Sequence, residues 1–137
     1  MNKHELMDFL GKARMGVVGT LRKDGYPQVT PVWYRYDGEV ITIWTQKDRM
    51  WVKNLVRDPR AAFSAQDEAP PFSGVVIRGK AEIITEESQA VLEEIRKVTR
   101  RYIDEKEMEA YIKQYWPQLQ TIVRIVPEAV TSWKLGY

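Results

Sequence analysis

The chain has 137 residues, enough for one domain around one hydrophobic core and too few for two. It is 44% hydrophobic and 29% charged, as an ordinary globular protein is, and its net charge of +2 is too small for a general nucleic-acid binder. It has no cysteine, which excludes disulfides, thiolate catalysis and Cys-based zinc or iron–sulfur centres.

No apolar run approaches the roughly 18 residues of a membrane span. The charged start Met1-Asn2-Lys3-His4-Glu5 lacks the apolar stretch of a signal peptide. The expectation is a cytoplasmic protein whose partners include neither membrane nor nucleic acid. Five Trp and seven Tyr are generous for this length and suit interfaces or planar ligands, although core packing alone would account for them.

Asn2 is placed to cap a first helix with an apolar face of Leu6, Phe9, Leu10 and Ala13, ending near Gly11 to Lys12. Met15 to Leu21 reads as a strand, and Lys23-Asp24-Gly25 as a hairpin turn. A second strand is predicted from Gln28 to Tyr36, then an Asp37-Gly38 turn and a third strand from Val40 to Thr45, the three forming an antiparallel meander. Asp48 is expected to cap a short helix over Arg49 to Arg57, stopped by Asp58-Pro59.

Arg60 to Ala65 is predicted as a fourth strand, Glu68 to Gly74 as a loop, and Val75 to Ile84 as a fifth strand with Gly79 at a bulge or close approach. Residues 86–102 have helical spacing, and a further helix is expected from Asp104 until Pro117. Two last strands, Leu119 to Val126 and Ala129 to Leu135, are predicted to be broken at Pro127. About seven strands without β-α-β alternation or repeats predict one mainly β domain over 1–137, an antiparallel barrel with peripheral helices.

Familiar catalytic signatures are absent: no G-x-G-x-x-G, P-loop, G-x-S-x-G or H-E-x-x-H. The single histidine, His4, is expected on a mobile surface N-terminus, which excludes a histidine-based triad or metal site. The stretch from Thr45 to Arg60 gathers Lys47, Arg49, Lys53, Arg57 and Arg60 around a strand end and a helix start. Helix N-terminal N–H groups with nearby cations make a phosphate site, but a solvated basic face would look the same.

Four segments together resemble one family. Met15-Gly16-Val17-Val18-Gly19-Thr20-Leu21-x-x-Asp24-Gly25-x-Pro27 followed by Thr30-Pro31-Val32-Trp33-Tyr34 is similar to the opening of the pyridoxamine 5′-phosphate oxidase-like superfamily, the FMN-binding split barrels. Asn54-Leu55-x-x-Asp58-Pro59-Arg60 resembles its cofactor-phosphate region. Val75-x-Ile77-x-Gly79-Lys80-Ala81-Glu82-Ile83 and Arg124-Ile125-x-Pro127-Glu128-x-Val130-x-x-Trp133 resemble its fifth strand and C-terminal strand pair.

The resemblance implies an antiparallel split barrel of Greek-key type and a homodimer with its cofactor, FMN or the deazaflavin coenzyme F420, at the subunit interface. By that likeness Val29, Thr30, Pro31, Val32, Trp33 and Tyr34 lie along the cofactor ring, and Trp44 and Thr45 touch it at a strand end. Lys47, Arg49, Met50, Trp51, Lys53 and Asn54 fall in the phosphate segment. Gly74 and Trp133 fall where the family uses the second subunit, with Trp133 either covering the ring or packing the interface.

Two departures narrow the implication. Arg49-Met50-Trp51 stands where FMN-binding members often carry Ser-Arg-Lys, so the charges are displaced. Trp51 then either reshapes the pocket, as in the F420 branch, or packs in the core. The Arg-x-His substrate segment of true pyridoxamine 5′-phosphate oxidases does not follow Trp133, which argues against vitamin B6 synthesis. The expected activity is an oxidoreductase moving hydride or electrons to or from a small unsaturated or oxidised substrate. No catalytic residue is assigned; Tyr34, Tyr36 and Lys47 are candidates for a general acid. The alternatives are a non-enzymatic FMN- or haem-related carrier and a structural dimer with a vestigial pocket.

Overall fold

Residues 1–115 and 121–134 are described by a computed structural model. The first helix, α1 (Lys3–Gly11), is held by a reciprocal cap. The Asn2 side chain accepts from the Glu5 N–H at 2.8 Å, and the Glu5 carboxylate accepts from the Asn2 N–H at 3.0 Å. Strands β1 (Gly16–Leu21) and β2 (Pro27–Val32) form a hairpin, and β3 (Arg35–Tyr36) and β4 (Ile41–Thr45) a second. Their turns place Gly25 and Gly38 at φ +88° and +97°, where a side chain would be strained.

Helix α2 (Met50–Arg57) follows, then β5 (Arg60–Gln66), β6 (Gly74–Thr85), the helices α3 (Gln89–Thr99) and α4 (Glu105–Tyr115), and β7 (Thr121–Trp133). Among the described residues no helix is long and apolar enough to cross a membrane. Pro117, Leu119 and Leu135, which bound predicted elements, lie outside the described residues.

The seven strands form one antiparallel sheet in the order β2-β1-β5-β6-β7-β4-β3. This corrects the expected meander. The run from Gln28 to Tyr36 is two strands, because the chain turns a corner at Trp33-Tyr34 and its halves join opposite ends of the sheet. Three peptide steps from Val32 to Arg35 span at most about 11 Å, so the two end strands are neighbours in space and the sheet curls into a barrel left open at that seam. Strands β4 and β5 are consecutive in the chain but separated by β6 and β7, which is the Greek-key arrangement.

Three further expectations shift. Pro127 does not break the last strand; β7 runs through it, and its pairing with β6 slips between Arg78 and Gly79, leaving Glu128 without an opposite residue. Gly79 is the close approach foreseen: a Cβ there would lie 2.8 Å from the Val126 carbonyl carbon and 3.2 Å from Pro127 Cα. Asp48 does not cap α2; the N-cap is Arg49, which makes no side-chain capping bond. His4 lies within α1, exposed, 3.3 Å from Asp8 one turn on.

The core fills the barrel with Val18, Ile41, Ile43, Phe63, Ile77 and Ile125; burial alternates along β1 and β5, whereas β4 buries Ile41, Thr42 and Ile43 in succession. Tyr34 joins it with no exposed surface, its ring edge-on to Phe63 at 4.8 Å. Helices α3 and α4 pack outside through a separate small cluster, Val91, Ile95, Met108 and Ile112 with Ile122 of β7.

Candidate functional site

A cavity of about 350 Å³ opens where the β2–β3 corner, the end of β4 and the start of α2 meet. Thr30, Pro31, Val32 and Trp33 line it from the first, Trp44 and Thr45 from the second, and Arg49 and Trp51 from the third; Met15 and Tyr111 complete it. Eight of the sixteen residues singled out from sequence are thus brought together. Four of its ten lining residues are aromatic, Trp33, Trp44, Trp51 and Tyr111, with Trp33 edge-on to Trp44 at 6.3 Å and tilted against Tyr111 at 5.6 Å.

The corner is held by Tyr102, from the turn after α3. Its ring stacks on Trp33 at 4.9 Å with 5° between planes. Its hydroxyl accepts from the Tyr34 N–H at 3.2 Å and donates to the Arg14 carbonyl at 2.7 Å. Arg101 donates to the carbonyls of Leu10, Gly11 and Lys12 at 3.0, 3.2 and 3.1 Å, tying the same segment to the end of α1. Backbone groups that a two-residue corner strands are satisfied this way.

Trp51 is buried with the barrel core, as one of the two alternatives had it, and it also lines the cavity. Arg49 is the cation at the cavity wall, beside a first helical turn that carries no acidic residue. The proposed basic cluster is divided. Met50, Lys53, Asn54 and Arg57 lie on one face of α2 by helical spacing, and they line a separate groove of about 760 Å³ with Arg22 and Lys23. Lys47 is exposed and lines neither opening.

Asn54 has structural work. Its amide donates to Thr20 Oγ1 at 3.1 Å and Gln28 Oε1 at 2.9 Å and accepts from Arg57 at 3.2 Å, fastening α2 to the β1–β2 hairpin. Tyr34 is sealed in the core, and burial, reinforced by Tyr102, pushes its phenol up to about 12 against the pull of Arg101 and Arg14. It therefore offers no proton to the cavity. Tyr36 donates to the Gly38 carbonyl at 3.1 Å and braces its turn.

Val29 is 71% exposed on the outside of the sheet and away from the cavity. Gly74 and Trp133 are paired across β6 and β7, eleven residues along β7 from Ile122, which faces Trp44. At about 3.3 Å per residue that is roughly 35 Å of strand, so they line no part of their own chain's cavity. The Trp133 indole donates to the Phe72 carbonyl at 2.6 Å.

Sequence reading missed Met15 as a lining residue, and Tyr111 altogether. Tyr111 follows Met108 by three and precedes Ile112 by one, so it flanks the apolar stripe of α4. Spacing gave that signal, but which wall the flank faces depends on how α4 docks.

Comparison with known proteins supports the same grouping. No curated protein matches the sequence. Among solved structures, a conserved hypothetical protein from Mycobacterium tuberculosis is 32% identical with a TM-score of 0.82, over 98% of this chain and 85% of that one. An F420 reductase is 26% identical with a TM-score of 0.70, over 90% and 94%. A putative pyridoxamine 5′-phosphate oxidase from Listeria innocua shares the fold, with 17% identity, a TM-score of 0.73, and coverage of 96% and 98%. Residues 3–134 match the sequence pattern of the pyridoxamine 5′-phosphate oxidase family, nearly the whole length over which the barrel and its cavity are built, and the chain belongs to that family.

Proposed function

We propose that the protein is a homodimeric oxidoreductase that holds FMN, or the deazaflavin F420, in the seam between two copies. The observation that carries this is the cavity: residues from three separate segments, marked beforehand by family likeness, line one aromatic opening with a cation at its wall. An aromatic slot of about 350 Å³ suits a planar ring and lies at the low end of pockets that enclose whole ligands. The remainder of a phosphorylated cofactor would extend past it, toward Arg49 and the start of α2. The F420 reductase among the relatives supports the deazaflavin arm.

Dimerisation is supported by the outer face of the sheet. Val17, Gly19, Val29, Pro31 and Ala62 are neighbours in the β-ladders, with Ser64 and Val76 continuing the row from Val17 and the charged Arg78 beside Ala62; all face away from the core and are exposed or half-exposed. Such a largely apolar surface suits a self-complementary contact. A second copy would also bring Gly74 and Trp133 near a cavity that their own chain cannot offer them.

When bound, the cofactor would supply hydride or electron transfer. The protein's part would be to orient it: Trp33, Trp44 and Trp51 would flank the ring, main-chain groups of Thr30 to Val32 would meet its polar edge, and Arg49 would anchor the phosphate. The test is titration of the purified protein with FMN and with F420, followed by absorbance and fluorescence, alongside its mass by light scattering. A dimer that binds one of them, and passes electrons from it to an acceptor, is expected. A monomer, or a dimer that binds neither, overturns the proposal; a bound cofactor that no reductant or acceptor turns over leaves a carrier.

A further inference from the structure

The groove between the β1–β2 hairpin and α2 is wider than the aromatic cavity and differs from it in chemistry. It holds about 760 Å³, with Arg22, Lys23 and Asp24 on the hairpin side and Met50, Lys53 and Arg57 on the helix side. Its walls are held at a set spacing. The buried Asn54 amide donates to Thr20 at 3.1 Å and Gln28 at 2.9 Å, and Arg57 donates to the Leu21 carbonyl at 2.6 Å. A groove braced in this way exists before any ligand arrives.

Four cations here face one carboxylate, and α2 carries no acidic residue along its length. Asp24 pairs with Arg22 at 3.3 Å, which leaves Lys23 and Lys53 without an ion-pair partner among the described residues. Apolar surface accompanies the charge. Met50 is 58% exposed inside the groove, and Tyr26 and Val56 beside it are 71% and 72% exposed. Methionine, tyrosine and arginine are the residues enriched where proteins meet. A small polyanion would leave the apolar surface wet, and one phosphate cannot meet cations on both walls of so wide an opening.

We propose that this groove docks an acidic segment of a partner protein, an extended stretch with an apolar residue followed by carboxylates at alternate positions. Met50, Lys53 and Arg57 follow one another at helical spacing, about 5–6 Å apart on the surface of α2. Alternate side chains of an extended chain lie about 6.6 Å apart, so an apolar side chain meets Met50 while two carboxylates meet Lys53 and Arg57. Lys23 closes the other wall over a third. Trp51 of the same helix lines the aromatic cavity, so a partner docked here sits beside that opening without filling it. The proposal stands apart from the oxidoreductase reading.

The test uses the full-length protein and a fluorescent, end-capped peptide, Gly-Leu-Ser-Glu-Ser-Glu-Ser-Glu-Gly. Anisotropy at low ionic strength is expected to show saturable binding that a glutamine version of the peptide loses. Raising salt to about 0.15 M should weaken it severalfold. An exposed ion pair is worth up to about fivefold in affinity, so Lys23→Glu/Lys53→Glu should cost at least about tenfold. Both lysines are exposed, so the fold should survive, which circular dichroism checks. Lys3→Glu/Lys12→Glu, with the same change in net charge on the exposed side of α1, should cost less than about twofold. Met50→Ser should cost about threefold. Saturating FMN or F420 should leave the peptide bound.

No saturable binding by the wild type, equal binding of the glutamine version, or equal losses in the two double variants would each overturn the proposal. So would displacement of the peptide by F420, which gives the groove to the cofactor, or tighter binding of tripolyphosphate, which gives it to a small polyanion. Peptide binding by a protein that takes up neither FMN nor F420 would instead sink the oxidoreductase reading alone.

Discussion

The indole of Trp133 lies across Gly74, its register partner on the neighbouring strand, so closely that a Cβ at Gly74 would sit 2.8 Å from ring atom Cε2 and 3.0 Å from Cη2. The absent side chain is the seat of the ring. With the indole N–H bound to the Phe72 carbonyl, Trp133 is fixed on its own chain before any second copy arrives.

Gly74→Ala is therefore expected to destabilise the fold by about 1–3 kcal/mol, the usual cost of overpacking. The cost should shrink when Trp133→Ala is present, because the clash goes with the ring. Thermal unfolding of the two single variants and the double variant measures the coupling; additive losses would show that the contact carries no strain.

Tyr102→Phe removes one hydroxyl but strands two backbone groups, the Tyr34 N–H and the Arg14 carbonyl. A loss of about 1–3 kcal/mol is expected in urea unfolding. The ring stack on Trp33 survives in phenylalanine, so the folded variant should keep its tryptophan emission. A loss below about 0.5 kcal/mol would mean that water replaces the hydroxyl.

Tyr34 makes a pH prediction. Its phenol ionises near 10 when the chain is unfolded and about 12 when folded, because burial, helped by Tyr102, disfavours the phenolate. The folded value is the higher one, so its contribution to stability is complete below pH 10 and is lost as the pH rises through 12. About 2–3 kcal/mol should disappear across that window. Tyr34→Phe, which removes the titrating hydroxyl, should lack this part of the alkaline decline. Urea midpoints from pH 9 to 12 test both statements.

The cations near α2 should act unequally on cofactor binding. Arg49 stands at the cavity wall, whereas Lys53 lines the other groove. Arg49→Ala is expected to weaken FMN or F420 by about ten- to a hundredfold, the worth of a charge-assisted bond to phosphate. Lys53→Ala and Lys47→Ala should each cost less than threefold. Equal losses from all three would place the phosphate between the two openings.

Much of this protein was written in its local chemistry. The Asn2 cap, the two Asp-Gly turns and the helix before Asp58-Pro59 depend on neighbours within a few residues, and periodicity displayed them. Gly79 stood out because glycine inside a strand has few other reasons to be there. The family likeness also marked eight residues that the fold gathers around one cavity.

Tertiary structure decided the rest. Seven strands were counted, yet one was cut at Trp33-Tyr34 and another joined through Pro127, because a corner and a bulge are settled by distant partners: Tyr102 for the first, Gly79 for the second. Asn54 became a fastener and Lys53 lines a different opening from Arg49, since Arg49 stands outside α2 as its N-cap while the docked helix sets the face of Lys53 and Asn54. Tyr111 reached the cavity by the docking of α4 on α3 and β7. Spacing along a chain fixes which residues share a face; only packing between elements fixes what that face meets.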